Sequence, residues 1–242
     1  MRRKASNWRQ RRRSRTTVPS CSLAFSMAID KKVITETITR EGEIASDNFI
    51  PPAALAKYHS PPGLAMDVQK ARQLLAEAGY PNGFDAGDFT CDAVHAGIAE
   101  PVANDLQAAG IRVKLRALER ASYNKGQVEK KFKNLVLSAS AAFGNAPTRL
   151  EAFVAAGGAY VYGSYPDIDG LFREQGAELD RKRREATLHR IQQLVHEKAM
   201  FAPIWQLAAM GGFGPRVEES GLGLITGFPF SGPYEDVKLR GK

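Results

Sequence analysis

The sequence predicts an α/β fold, a sheet joined by helical crossovers, and three observations carry that expectation. Helical and strand periods alternate three times between residues 67 and 137. Ile111, Val113 and Leu115 alternate with Arg112, Lys114 and Arg116, the period of a strand wet on one face. Leu135, Val136 and Leu137 form a continuous apolar run, as expected of a strand covered on both faces. Alternation of this kind implies crossovers rather than hairpins.

The elements follow in order. Residues 21–40 read as helix, with Ala24, Met27, Ala28 and Ile34 on one apolar side and a break near Asp30. Residues 41–63, with Pro51-Pro52 and Pro61-Pro62-Gly63, read as an extended, proline-fixed connection. Asp67 has the chemistry of an N-cap. Val68, Ala71, Leu74, Leu75 and Ala78 then line one helix face, and Gly79 with Pro81 closes it. Asn82-Gly83 makes a turn into a weakly patterned strand over residues 87–95.

Residues 98–109 present Ile98, Val102 and Leu106 as a helix face, with Pro101 expected in the first turn and Gly110 as the stop. Residues 123–131 read as a polar helix. Residues 138–158 are small and flexible in composition, and residues 159–165 are tyrosine-rich. Asp167 starts a helix over 168–175. Asp180 caps a long helix whose apolar positions are Leu188, Ile191, Leu194 and Val195. Pro203 is expected to stop that helix, and Phe201, Ile204, Trp205 and Leu207 read as a strand returning to the core.

Length and charge narrow the function. At 242 residues with 43% apolar residues the chain can bury a proper core. The net charge of +8 is matched by eight basic residues, without an acid, in residues 1–20; the other 26 Lys and Arg balance 26 Asp and Glu. A neutral body argues against a nucleic-acid surface on the folded part. The Arg-rich tail reads as a solvated, disordered segment, and the competing class is a nucleic-acid or partner-binding protein acting through it. Residues 1–20 lack the unbroken apolar stretch and cleavage site of a secretory signal. Cys21 and Cys91 lie outside any metal-ligand spacing and read as free thiols.

Catalytic motifs are missing. There is no phosphate loop, GxGxxG, HExxH or GxSxG. His189 and His196 share a helix face two turns apart, too far to hold one ion. The paired acids Asp167/Asp169 and Glu218/Glu219 read as cap and solvated turn. No enzymatic activity, cofactor or metal is expected. Phe143, Tyr160, Tyr162, Tyr165 and Trp205 surround small-residue loops, and amphipathic rings suit a ligand that is part backbone and part side chain.

Several stretches resemble one family in the right order: Met27-Ala-Ile-Asp-Lys-Lys-Val-Ile34, Ala71-Arg-Gln-Leu-Leu-Ala-Glu-Ala-Gly-Tyr-Pro-Asn-Gly-Phe84, Ala109-Gly-Ile-Arg-Val-Lys-Leu115, Tyr165-Pro-Asp-Ile-Asp169 and Ala202-Pro-Ile-Trp205. From about Leu23 onward the chain is similar to the carboxy-terminal part of the extracytoplasmic solute-binding proteins, family 5, of oligopeptide, dipeptide and nickel ABC transporters. The resemblance implies one lobe of a periplasmic-binding-protein type II fold over residues 21–207, after a basic tail at 1–20. Residues 208–242 would then return toward a first lobe, leaving Leu222, Leu224, Ile225, Phe228 and Phe230 partly exposed and the chain prone to self-association.

Family members are longer, so the resemblance also implies a truncated or misframed reading, a periplasmic protein delivering a peptide or small-molecule solute to a membrane permease, and weak binding by half a cleft. Without a signal peptide the chain as written would stay in the cytoplasm. The family's ligand loop follows the strand at 132–137, and its Gly-Trp pair and acid are replaced here by Ser138-Ala-Ser-Ala-Ala-Phe143-Gly-Asn-Ala-Pro147. The expected lining is Ser140, Phe143, Asn145, Arg149, Tyr160 and Tyr162, with Arg149 facing a ligand carboxylate.

Overall fold

The computed structural model describes residues 17–39, 43–46, 63–139, 146–163, 165–207, 211–222, 224–225 and 231–240. The basic residues 2–15 lie outside them. The first helix, α1 (Thr17–Ala28), gives way at Asp30 to α2 (Lys31–Ile38). Asp30 accepts from the Val33 N–H at 3.0 Å, so the break expected there is an N-cap. Met27 is half-buried, while Ala24, Ala28 and Ile34 are fully enclosed. Within the expected connection a two-residue strand, β1 (Ile44–Ala45), is described.

Helix α3 (Val68–Glu77) begins at Asp67, whose side chain accepts from the Lys70 N–H at 2.8 Å. Its end is a left-handed cap: Gly79 has φ +91°, with Gly79 N–H on the Ala76 carbonyl and Tyr80 N–H on that of Leu75. The turn at Asn82-Gly83 is formed, and β2 (Phe84–Asp92) follows. The strand starts and stops three residues before the expected 87–95, because Asp92 ends it by accepting from the Val94 N–H and opening a 3-10 turn at Ala93–His95.

That turn feeds α4 (Ala96–Ala108), which buries Ala99, Val102 and Leu106. Pro101 therefore sits in the second turn, not the first, and having no N–H it leaves the carbonyl of exposed Gly97 without its i+4 donor. Strand β3 (Ile111–Leu118) shows the expected alternation, Ile111 fully buried and Arg112, Lys114 and Arg116 exposed. Helix α5 (Arg120–Val128) is capped by Glu119, and β4 (Leu135–Val136) is a short, half-buried pair rather than a strand covered on both faces. Only Leu137 beyond it is buried, its N–H on the Thr90 carbonyl.

The three strands form a parallel sheet in the order β3-β2-β4. Connections leaving β2 and β3 run in opposite directions, so right-handed crossovers place α4 and α5 on opposite faces. Leu75, Leu106 and Ile111 lie in the core between α1, α3, α4 and the sheet, each contributing about 1.5–3 kcal/mol by burial.

A second core joins α6 (Ala146–Phe153), α7 (Pro166–Ala177) and α8 (Arg181–Glu197) through Leu150, Val154, Ile168, Leu188, Ile191, Leu194 and Val195. Helix α6 lies inside the segment whose small residues suggested only a loop. Asp180 caps α8 as expected, accepting from the Arg183 N–H at 2.9 Å. The helix stops at Glu197, well before Pro203: Ala199 takes φ +44° and its N–H binds the His196 carbonyl, while Met200 N–H binds that of Val195. The freed chain places Ile204 in the first core and pairs β5 (Trp205–Gln206) antiparallel to β1.

Farther on, β6 (Val217–Glu219) and β7 (Lys238–Leu239) pair antiparallel. Leu222, Leu224 and Ile225 are exposed, as are Phe213 and Leu239; Phe228 and Phe230 lie outside the described residues. No helix among the described residues is long and apolar enough to cross a membrane.

Where β2 and β3 enter the sheet, Phe84 N–H donates to the Gly110 carbonyl at 3.0 Å, and a Cβ on Gly83 would run into that carbonyl. Gly83 also has φ +71°. Gly83→Ala should cost roughly 2 kcal/mol or more in urea melts. Gly79→Ala, strained in φ but with open space, should cost about 1–2 kcal/mol. Equal costs would contradict a register set at Gly83.

Candidate functional site at the carboxyl end of the sheet

The strands β2, β3 and β4 run parallel, so their carboxyl ends share one edge. Neighbouring strands whose outgoing connections pass to opposite faces leave a crevice between them, and β2 and β3 have that relation. Asp92 ends β2 and Arg120 follows β3, and Arg120 Nε donates to Asp92 Oδ2 at 3.1 Å. The acid is buried, its side chain 6% exposed, while the arginine side chain is 68% exposed.

His95 sits three residues past Asp92, its ring edge-on to Trp205 with 5.9 Å between centroids. Strand β5 holds Trp205 opposite Ala45, and the indole N–H is buried without a hydrogen-bond partner among the described residues. Burial pushes the His95 imidazole below its ordinary value. Arg120 acts in the same direction, and Asp92 and Glu43 oppose it.

At the third strand end, helix α5 fixes the start of the loop after β4. Buried Tyr123 donates from its hydroxyl to the Leu137 carbonyl at 2.8 Å, and Gln127 Nε2 donates to Ser138 Oγ at 2.9 Å. These residues are one turn apart, so one helix face holds residues 137 and 138. The Tyr162 hydroxyl reaches the Gln127 carbonyl at 3.4 Å, tying the segment after α6 to the same place.

Of the side chains expected to line a site, Tyr162 meets the last turn of α5 and is about half exposed. Ser140, Phe143 and Asn145 lie outside the described residues. Arg149 and Tyr160 meet on one ring: the Arg149 guanidinium carbon is 5.9 Å from the Phe153 centroid and Tyr160 stacks on Phe153 at 4.6 Å. Asp92, Arg120 and His95 were not singled out from the sequence. Their signal was thin, since Asp92 and Arg120 meet across 28 residues and the expected strand 87–95 put Asp92 in its interior.

The paired acids are engaged elsewhere. Asp167 pairs with Lys198 at 2.8 Å, Asp169 accepts from the Ala156 N–H, and Glu219 pairs with Lys238. Among the described residues no group of three His, Cys, Asp or Glu side chains is placed to hold a metal ion.

Solved structures share this α/β architecture. DppA from Helicobacter pylori, solved with the peptide STSA, superposes with a TM-score of 0.70 over 93% of this chain and 44% of its own, at 22% identity. NikA from Brucella suis, solved with Fe(III)-EDTA, gives 0.71 over 95% of this chain and 49% of its own, at 20% identity. The fold is thus part of the periplasmic-binding-protein type II fold. In sequence, heme-binding protein A of Haemophilus influenzae is 25% identical over 207 residues, 81% of this chain and 38% of that protein. Residues 20–160, more than half of the chain, match the middle region of the bacterial extracellular solute-binding proteins, family 5, and the chain belongs to that family.

His95 gives this edge a pH signature. Between the ordinary imidazole value, about 6.5, and its lower value in the fold, the unfolded chain binds a proton that the folded chain refuses. Stability should therefore fall as pH drops through that window and level off below it. Urea midpoints of His95→Gln between about pH 8 and pH 5 should lack this part of the acid loss. An unchanged profile would place His95 in solvent.

Proposed function

We propose that this chain is a lobe of the solute-binding component of an ABC importer, taking peptides or related solutes at the carboxyl end of its sheet and presenting them to a membrane permease. Membership of family 5 supports the class. The observation that carries the place is the grouping of Asp92, Arg120, His95 and Ser138 at three parallel strand ends. An extracytoplasmic site of action follows from the same reading.

The named ligands of the related proteins are a peptide, a haem and a metal chelate. All three present polar or charged groups. Ser140, Phe143, Asn145, Arg149, Tyr160 and Tyr162 remain the proposed lining, with residues 21–207 as the lobe and 208–242 as a segment directed at an opposing lobe. Exposed Phe213, Leu224 and Leu239 are surface that such a lobe could cover. The reading is of binding without covalent chemistry.

Calorimetry and thermal shift against tri- to pentapeptides, haem and nickel–histidine provide the test. One lobe offers half of the contacts a closed cleft would make, so we expect binding by at least one class with a dissociation constant on the order of 0.1–1 mM. No response to any member of the panel at several millimolar would overturn the reading. Micromolar or tighter binding would overturn the single-lobe description.

A further inference from the structure

Resting on the solute-binding reading, we propose that Arg120 anchors a carboxylate group of the solute, with Asp92 as the residue that positions it. Arg120 opens α5 at the carboxyl end of β3, and its side chain is mostly exposed although one of its nitrogens is fixed. The fixed atom is Nε, on Asp92 Oδ2, so the acid engages the inner edge of the guanidinium. The Nη pair forms the outer edge, the fork that matches a carboxylate with two parallel hydrogen bonds.

Asp92 is itself held. Its Oδ1 accepts from Val94 N–H at 3.2 Å, and β2 is paired on both sides a few residues earlier. Burying a carboxylate for a partner in solvent is costly in a way that an ordinary surface pair is not. Arg116 and Asp88 form such a surface pair at 2.7 Å, with both side chains about half exposed. The same two residue types, four positions farther along the chain in each case, thus occur in a different setting at the crevice.

Arg120 bears on His95, whose ring meets Trp205. Trp205 carries a buried indole N–H with no acceptor among the described residues, and the adjoining His95 imidazole is biased toward its neutral form. Glu43, which acts on His95 from the β1 side, is the other acid that bears on this group. Because Asp92 and Arg120 are formally neutral together, attraction for an anion comes from the oriented fork rather than from net charge. A lone carboxylate should bind weakly, on the order of 10 mM or above.

The test follows the Nε–H resonances of Arg120 and Arg116 and the indole N–H of Trp205 in the full chain. Sodium acetate is the probe, acetamide the neutral control, and sodium chloride keeps ionic strength constant. Acetate should shift Arg120 saturably and leave Arg116 with a small, linear response, while acetamide moves neither. Arg120→Lys, which keeps the charge but loses the fork, should abolish the saturable response read at Trp205. Arg120 tracking Arg116, or answering acetamide equally, would overturn the anchor. A peptide that perturbs residues 137–139 without moving Arg120 also removes the anchor but leaves the solute-binding reading standing. A saturable acetate response in a chain that binds no member of the solute panel does the reverse.

Discussion

The parallel pairing of β2 with β3 is the constraint on which the first core and the strand-end crevice both depend, and the glycines at its start set it. Gly83 lets the backbones approach closely enough for Phe84 to bond the Gly110 carbonyl. From there the register runs to Asp92 opposite Leu118, through one irregularity between Asp85 and Gly87. A slip by one residue would turn Phe89 and Cys91 out of the core and separate Asp92 from Arg120. Local backbone chemistry at one end of the sheet therefore determines side-chain geometry at the other.

The two cores meet the site differently. The sheet core supplies the strand ends, while the segment that follows α6 touches α5 through Tyr162, and the chain returns after α8 to Ile204. The left-handed cap at Ala199 makes that return: once α8 is closed there, residues 200–204 are free to cross to the first core, and β1 fixes Trp205 beside His95. Asp67 makes a comparable join, its N–H on the Met27 carbonyl while its side chain caps α3. Single residues thus terminate one element and attach it to another.

What was legible in the sequence was local. Asp67 and Asp180 announced caps because an N-cap needs only its own carboxylate and the next turn, and β3 announced itself because one face stays wet. The central strand was harder to read: its amino-terminal half is irregular and its carboxyl half, from Phe89 to Asp92, is buried on both faces, so neither half alternates. Pro203 looked like a helix stop because proline is a strong breaker, yet Ala199 had already closed the helix with a conformation that alanine rarely adopts. The α/β class and the family needed only these local patterns. The site needed Asp92 to meet Arg120 and Trp205 to meet His95, pairings that exist only once the register is set.

The proposed function requires solute to meet the carboxyl ends of the strands rather than any other surface. Amide hydrogen exchange with and without the tightest-binding member of the solute panel measures this directly. The proposed function predicts added protection at residues 92–96, 120–123 and 137–139, with none at residues 80–84 or 109–111 at the opposite end of the sheet. Protection confined to that opposite end, or to the hairpin of β6 and β7, would contradict it.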